Sequence, residues 1–160
     1  MLRSDVETLL DVLRSKGMRM SAAESCTGGM IGSLITESPG ASEVFLGSAV
    51  TYSNESKEAI LKVSHDTLLR HGAVSEETAR EMALGSIDAY GSDVAVAVTG
   101  IAGPGGATDT KPVGLVYIAV ADGPRTVVTR NIFKGDRQSV REQTALEAIR
   151  LITELAEGRL

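Results

Sequence analysis

Two short stretches of this chain hold residue types that hydrolysis requires. Ala22-Ala23-Glu24-Ser25-Cys26-Thr27-Gly28-Gly29 offers a hydroxyl and a thiol beside two glycines, and Tyr52 to Lys57 offers a phenol and an amine. The first stretch lies between an apolar run, Met18 to Ala23, and a helical pattern in Met30, Ile31, Leu34 and Ile35, which predicts a strand-to-helix turn. At such a turn glycines let backbone approach a ligand, and the helix start offers N–H groups to an anion or oxyanion. Ser25 as a nucleophile needs a base. Lys57 can serve if burial or a neighbouring cation keeps its amine neutral, and the first turn of a helix also disfavours an ammonium there. Tyr52, at the preceding strand end, can hydrogen-bond the same site. Blander readings stand beside these. Ser25 suits a cap for the helix starting near Gly28, Lys57 a solvated charge paired with Glu58, and Tyr52 a packing residue. Cys26 is the alternative nucleophile, since a helix N-terminus lowers a thiol pKa. His65 and His71, at a helix start and a helix end, read as structural.

A third stretch, Thr99 to Gly106, follows an apolar run and continues as a glycine-rich loop to Lys111-Pro112. A loop that long in a compact domain is usually functional. Thr99 and the glycine pair, Gly28 and Gly29, can donate to an oxyanion or a phosphate. Gly100-x-x-Gly103 is too short for a dinucleotide fingerprint, and no phosphate-loop Gly-Lys-Thr exists.

The elements that must position these residues follow from periodicity and breakers. Ser4 to Glu7 has capping-box form ahead of Val6, Leu9, Leu10 and Leu13, with Gly17 as a stop. The second helix ends before Ser38-Pro39-Gly40, Ala41 to Leu46 suggests a helical turn, and Gly47 to Tyr52 reads as a buried strand. Ser53 or Asn54 then caps a helix carrying Glu55, Lys57, Ile60 and Leu61. A short helix spans Asp66 to Arg70, and a longer one runs from Ser75-Glu76-Glu77 to Gly91. Val94 to Thr99 is apolar on both faces, as a central strand would be. Val113 to Ala121 and Thr126 to Phe133 flank Asp122-Gly123-Pro124, an antiparallel hairpin. The last helix covers about Arg137 to Ala156, with Lys134, Arg137 and Arg141 near its start. The sum is one three-layer α/β/α domain spanning residues 1–160, on a mixed, mostly parallel sheet with one antiparallel strand. Ligands of such sheets collect where strands end and helices begin.

Composition narrows the function. The 160 residues suit one domain, the net charge is −5, aromatics are 3% and Trp is absent. That argues against a nucleic-acid partner, which needs a basic face and stacking rings. One cysteine excludes an internal disulfide, and with only two histidines a metal site would have to be built mostly of carboxylates. No signal-peptide core and no apolar run of about 18 residues is present, which predicts a soluble cytoplasmic protein without a membrane association.

Five blocks then stand in a recognisable order: Ala23 to Gly29, Val50-Thr51-Tyr52-Ser53-Asn54-Glu55-x-Lys57, His71-Gly72-Ala73-Val74-Ser75, Thr99-Gly100-Ile101-Ala102-Gly103-Pro104, and Lys111-Pro112-Val113-Gly114. Together they cover essentially the whole chain and resemble the CinA C-terminal family, in a stand-alone form without the larger N-terminal domain many relatives carry. The resemblance implies a nicotinamide-nucleotide amidohydrolase that converts nicotinamide mononucleotide to nicotinic acid mononucleotide and ammonia. It further implies Ser25 as nucleophile, Lys57 as base and Tyr52 as an aid to proton transfer. Thr99 and Arg137 match site positions, so that the substrate set is Gly28, Gly29, Thr99, Gly100, Gly103 and Arg137. The chemistry needs no metal or organic cofactor. The family suggests a homodimer or higher homo-oligomer with a small-molecule nucleotide substrate. The competing expectation is a non-catalytic nucleotide-binding or interaction module of the same fold.

Overall fold

The computed structural model describes residues 2–160. Its elements are α1 (Leu2–Lys16), β1 (Met20–Glu24), α2 (Met30–Thr36), a 3-10 turn (Ala41–Glu43), β2 (Phe45–Val50), α3 (Asn54–Leu61), α4 (His65–His71), α5 (Glu76–Tyr90), β3 (Val94–Gly100), β4 (Leu115–Ala121), β5 (Thr126–Ile132) and α6 (Arg137–Ala156). The strands form one sheet in the order β2-β1-β3-β4-β5. β1 runs parallel to β2 and β3, whereas β4 runs antiparallel to β3 and β5. Four strands therefore point one way and β4 the other, as expected for a mixed sheet with one antiparallel member.

Strand alternation divides the core. On one face Met20, Ala22, Val94, Val96, Val98, Val116, Ile118 and Val120 meet Leu9, Leu10 and Leu13 of α1, Ile31 and Ile35 of α2, and Ala148, Ile149 and Ile152 of α6. Each fully buried leucine there stabilises the fold by ~2 kcal/mol. On the other face alanines dominate: Ala23, Ala97, Ala119 and Ala121 meet Ala79, Met82 and Ala83 of α5, with Leu61 of α3 and Leu68 of α4. Small residues bring the second layer close. A Cβ on Gly85 of α5 would stand 2.0 Å from the Leu61 carbonyl oxygen, so glycine is required there despite costing a helix interior about 1 kcal/mol. This contact fixes the end of α3, the helix that carries Lys57.

Several local expectations change, the first being that β2, at the sheet's edge, ends at Val50 and is half-buried over Phe45 to Ser48 instead of buried through Tyr52. Leu2 and Arg3 are already helical, so Ser4 lies inside α1, where its carbonyl accepts from Thr8 Oγ1 at 2.9 Å, and does not start the helix. Phe45 pairs with Met20, which draws Phe45 and Leu46 into β2 and leaves only Ala41–Glu43 helical. β4 starts at Leu115 because Gly114, at φ 91, turns the chain after Pro112. Among the described residues no helix is long and apolar enough to cross a membrane.

Candidate active site

Register assembles the site. Glu24 at the end of β1 stands opposite Val50 of β2 and Val98 of β3. Of the residues that follow, Ser25 and Thr51 leave the sheet at its C-terminal edge, beside Thr99, which β3 still pairs with Tyr117 of β4. Thr51 N–H still donates to Glu24 O (2.9 Å) and Ser25 N–H to Val98 O (3.1 Å), which extends the pairing into both junctions.

After Ser25 the chain turns tightly: Gly28 N–H donates to Ser25 O and Met30 N–H to Thr27 O, both at 3.1 Å. Gly28 and Gly29 have φ 59 and 104, values that glycine adopts without steric cost. Gly29 is the N-cap of α2 and no side chain caps that helix, so Ser25 is not a cap. Nor does the helix start await an anion, because Glu24 occupies it. Its carboxylate, fully buried, accepts from Thr27 Oγ1 (2.6 Å) and Ile31 N–H (2.9 Å) at one oxygen, and from Gly32 N–H (3.1 Å) and Ser48 Oγ (2.6 Å) at the other. Four donors saturate the charge and bind β1, α2 and β2 to one point. The sequence signal for this role was a carboxylate within a strand otherwise free of charge.

The second junction presents the opposite charge. Ser53 Oγ caps α3 by accepting from Ser56 N–H, which sets Lys57 on the inner side of the helix. Lys57 is 1% exposed, so it is not a solvated surface charge. Its Nζ contacts Thr51 O at 2.7 Å, Tyr52 O at 3.2 Å and Ser25 Oγ at 3.0 Å. Among the described residues no carboxylate pairs with it. Burial without a counter-charge lowers its pKa from 10.5 to about 8, opposed only by Cys26. The two carbonyls can only accept, and each takes one N–H of the amine. In the neutral form the lone pair is left for the third direction, that of the Ser25 hydroxyl. Ser25 and Lys57 thus share a buried hydrogen bond in which the hydroxyl can donate whenever the amine is neutral.

Ser25, Lys57, Cys26, Tyr52, Ala73, Thr99, Gly100, Gly103 and Arg137 line one open crevice of about 260 Å³. Thr99 Oγ1 donates to Ala73 O (2.8 Å), which leaves its oxygen lone pairs toward other partners. Gly100 and Gly103 are steric necessities: a Cβ on either would meet a Val116 or Val113 methyl at 2.5 Å. Arg137, at the start of α6, donates to Gly103 O (2.9 Å) and to the Tyr52 hydroxyl (3.2 Å). The Tyr52 ring is turned to the mouth of the crevice, and it is the Tyr52 carbonyl that touches Lys57. Cys26 is 6% exposed, and burial pushes its thiol pKa up to about 11. His65 pairs with Glu58 and His71 faces Glu77, both outside the crevice.

Gly28 and Gly29 are not brought to this crevice. They line a second one, with Met30, Leu34, Gln138 and Arg141, on the far side of the turn, and the Gly28 N–H is already engaged by Ser25 O. Arg141 grips the turn from that side through the carbonyls of Cys26 and Thr27. Sequence reasoning placed Arg141 at the helix start without a role; its spacing of four from Arg137, one helical turn, was the available signal.

A buried Ser–Lys pair at the C-terminal edge of a mixed α/β/α sheet defines the class of this domain. The sequence profile of the CinA C-terminal domain matches residues 3–156, and the chain belongs to that family. It is 48% identical over 153 residues to a CinA-like protein of Chloroherpeton thalassium, an alignment covering 93% of this chain and 36% of the relative. Identity to a CinA-like protein of Thermotoga maritima is 44% over 153 residues, 96% of this chain and 37% of the relative. The chain therefore spans about a third of the length of these curated relatives. Among solved structures, a CinA superfamily protein of Klebsiella pneumoniae superposes with TM-score 0.95 at 31% identity, covering 99% of both chains. The competence/damage inducible protein CihA of Agrobacterium tumefaciens gives 0.93 at 36% identity, over 96% of this chain and 94% of that one.

Proposed function

We propose that this domain is an amidohydrolase that deamidates nicotinamide mononucleotide to nicotinic acid mononucleotide and ammonia, within the cytoplasm and in the service of pyridine nucleotide salvage. The observation that carries the reading is the 3.0 Å contact between Ser25 Oγ and a buried Lys57 amine that no carboxylate pairs with among the described residues. In the reaction Lys57 takes the hydroxyl proton as Ser25 Oγ bonds to the carboxamide carbon. The resulting ammonium returns that proton to the departing amide nitrogen, which leaves as ammonia. Lys57, neutral again, then deprotonates a water that cleaves the acyl-enzyme and restores the Ser25 hydroxyl. Neither a metal nor an organic cofactor enters these steps.

The crevice volume lies near the lower end for small-molecule pockets, ~300 Å³. It suits the pyridine carboxamide, with the ribose phosphate reaching the mouth where Arg137 and Tyr52 stand. Arg137 offers the phosphate a bidentate partner, Thr99, Gly100 and Gly103 form the wall beside the ring, and the Tyr52 hydroxyl relays protons there. Gly28 and Gly29 act on the substrate only through the shape of the turn.

The test is ammonia release from nicotinamide mononucleotide by the wild type and by Ser25→Ala. Release by the wild type that Ser25→Ala abolishes is expected. A well-folded wild type that releases none would leave a non-catalytic nucleotide-binding or interaction module. Activity retained by Ser25→Ala would remove the nucleophile assignment.

A further inference from the structure

Two of the blocks that mark this chain, His71 to Ser75 and Lys111 to Gly114, supply no group to the chemistry at Ser25, yet they meet. The half-buried Lys111 donates from Nζ to the His71 carbonyl at 2.6 Å, across 40 residues of sequence. His71 is the last residue of α4, so the cation also faces the negative end of that helix. Gly72 leaves room for it, since a Cβ there would stand 3.1 Å from Lys111 Nζ.

The contact joins two segments of the crevice wall. Ala73 and Val74 line the crevice from the α4–α5 connection, and Gly103, Gly105 and Gly106 line it from the glycine-rich loop. The connection is firmly held. Gly72 O accepts from Ser75 Oγ (2.9 Å) and Thr78 Oγ1 (2.7 Å), and Ala73 O accepts from Thr99 Oγ1 (2.8 Å). The loop is not. Pro104 to Thr110 are exposed throughout, and among the described residues no hydrogen bond or ion pair ties them to another element. Their hydrogen bonds are local, from Thr108 N–H to Lys111 O (2.9 Å) and from Lys111 N–H to Thr108 Oγ1 (3.1 Å). Arg137 anchors one end of this stretch through Gly103 O, and Lys111 anchors the other through His71 O.

We infer that Lys111 is a positioning residue: it latches the outer end of the glycine-rich loop to the α4–α5 connection, and so holds Gly103 to Gly106 in place opposite Ala73 and Val74 for a bound pyridine ring. This rests on the reading of the crevice as the substrate site. Lys111 itself does not line the crevice, so it acts through the loop. Ser25 and Lys57 are placed by β1, β2 and α3, which the latch does not touch. Once substrate is bound, the chemical step is therefore the same with or without it. What the latch changes is the fraction of molecules whose crevice is formed, and apparent affinity falls in proportion to that fraction.

The experiment uses the full chain and two variants, Lys111→Met, which keeps the apolar stem and removes the donor, and Lys111→Arg, which keeps a cationic donor. With nicotinamide mononucleotide, Lys111→Met should raise KM about tenfold, the low end for a hydrogen bond from a charged group. Its kcat should stay within about threefold of the wild type, the signature of lost uniform binding. Lys111→Arg should bring KM back toward the wild-type value. A general loss of stability would instead lower kcat through the active fraction and leave KM alone. A second measurement needs no turnover. In 15N-labelled protein the Thr108 N–H should exchange with solvent at least about tenfold faster in Lys111→Met than in the wild type. The Ser25 N–H, held by Val98 O, should keep its rate. If Lys111→Met fails to fold, Lys111→Gln, with a weaker uncharged donor on a shorter stem, takes its place with the same expectations.

A folded Lys111→Met whose KM stays within about threefold of the wild type, or which loses kcat at unchanged KM, would overturn the inference. Unchanged exchange at Thr108 would do the same. A wild type that releases no ammonia would overturn the amidohydrolase reading, and exchange would then decide the latch alone: faster at Thr108 in Lys111→Met supports it, and an equal rate overturns it.

Discussion

The two strand-to-helix junctions at the edge of this sheet each bury one ionisable side chain, and they treat it in opposite ways. At the end of β1, the Glu24 carboxylate receives four hydrogen bonds, two at each oxygen. After β2, the Lys57 amine meets two carbonyls and one hydroxyl, all uncharged. A carboxylate that receives four donors fixes geometry, whereas an ammonium buried without an anion is driven toward its neutral form. Strand alternation keeps the two apart, since Ala22 and Ala23 already face opposite layers. Glu24 bonds to α2 while Lys57 arrives on α3 from the other layer. Were Glu24 to reach Lys57, the pair would neutralise as ions and no base would face Ser25.

The largest expected effect breaks the comparison at the atom where both junctions meet. Ser25→Ala should lower ammonia release by ~10⁴-fold or more, since removing a nucleophile leaves only binding and oxyanion stabilisation. A steady-state ammonia assay measures it, and a loss under tenfold would mean the junctions do not share one reaction.

Next comes the base. Lys57→Met should cost ~100-fold or more in kcat. In the wild type, activity should rise with pH through about 8, where Lys57 loses its proton. Folding stability should follow the same group. The folded pKa lies below the unfolded 10.5, so between about pH 8 and 10.5 the unfolded chain holds the extra proton and stability rises with pH. Chemical denaturation of wild type and Lys57→Met across that window should show the rise in the first and not in the second. An activity limb centred near pH 6.5 would point to a histidine instead.

Glu24→Gln tests the saturated side. An amide nitrogen would face the Gly32 or Ile31 N–H in place of an acceptor oxygen, leaving a buried donor unpaired at about 1–3 kcal/mol. The midpoint of thermal unfolding should drop, while the pH midpoint of whatever activity remains stays where Lys57 sets it. Movement of that midpoint would show that the carboxylate acts on Lys57 electrostatically, contrary to the separation of layers.

The strands and helices were legible because hydrophobic period and breakers agree: Ser53, Ser75 and Gly91 sit where caps were expected. The contact of Ser25 with Lys57 was not legible from spacing alone. It depends on the parallel pairing of β1 with β2, a relation between residues 32 apart that local pattern does not encode. Glu24 was overlooked for a related reason. A helix start in sequence advertises open N–H groups, and only the fold reveals that a side chain seven residues before Ile31 fills them. The grip of Arg141 on Cys26 and Thr27 spans more than a hundred residues and lay equally out of reach.

The smallest expected effect concerns the residue between the two charges. Cys26 follows Ser25 directly and lines the same crevice, yet its pKa is pushed up to about 11 by burial. At neutral pH nearly all of it is thiol, whereas thiolate is the reactive form. Lys57 does not reverse this, because an amine that is itself losing its proton near pH 8 gives the thiolate little support. Cys26→Ala should therefore change kcat by no more than a few-fold and cost about 1 kcal/mol of stability for the sulfur removed from the core. Native protein should react with a thiol reagent far more slowly at pH 7 than unfolded protein does. Rapid modification that tracks loss of ammonia release would transfer the nucleophile's role to Cys26, and the contrast between a saturated acid and an uncompensated base would then describe the support of a thiol.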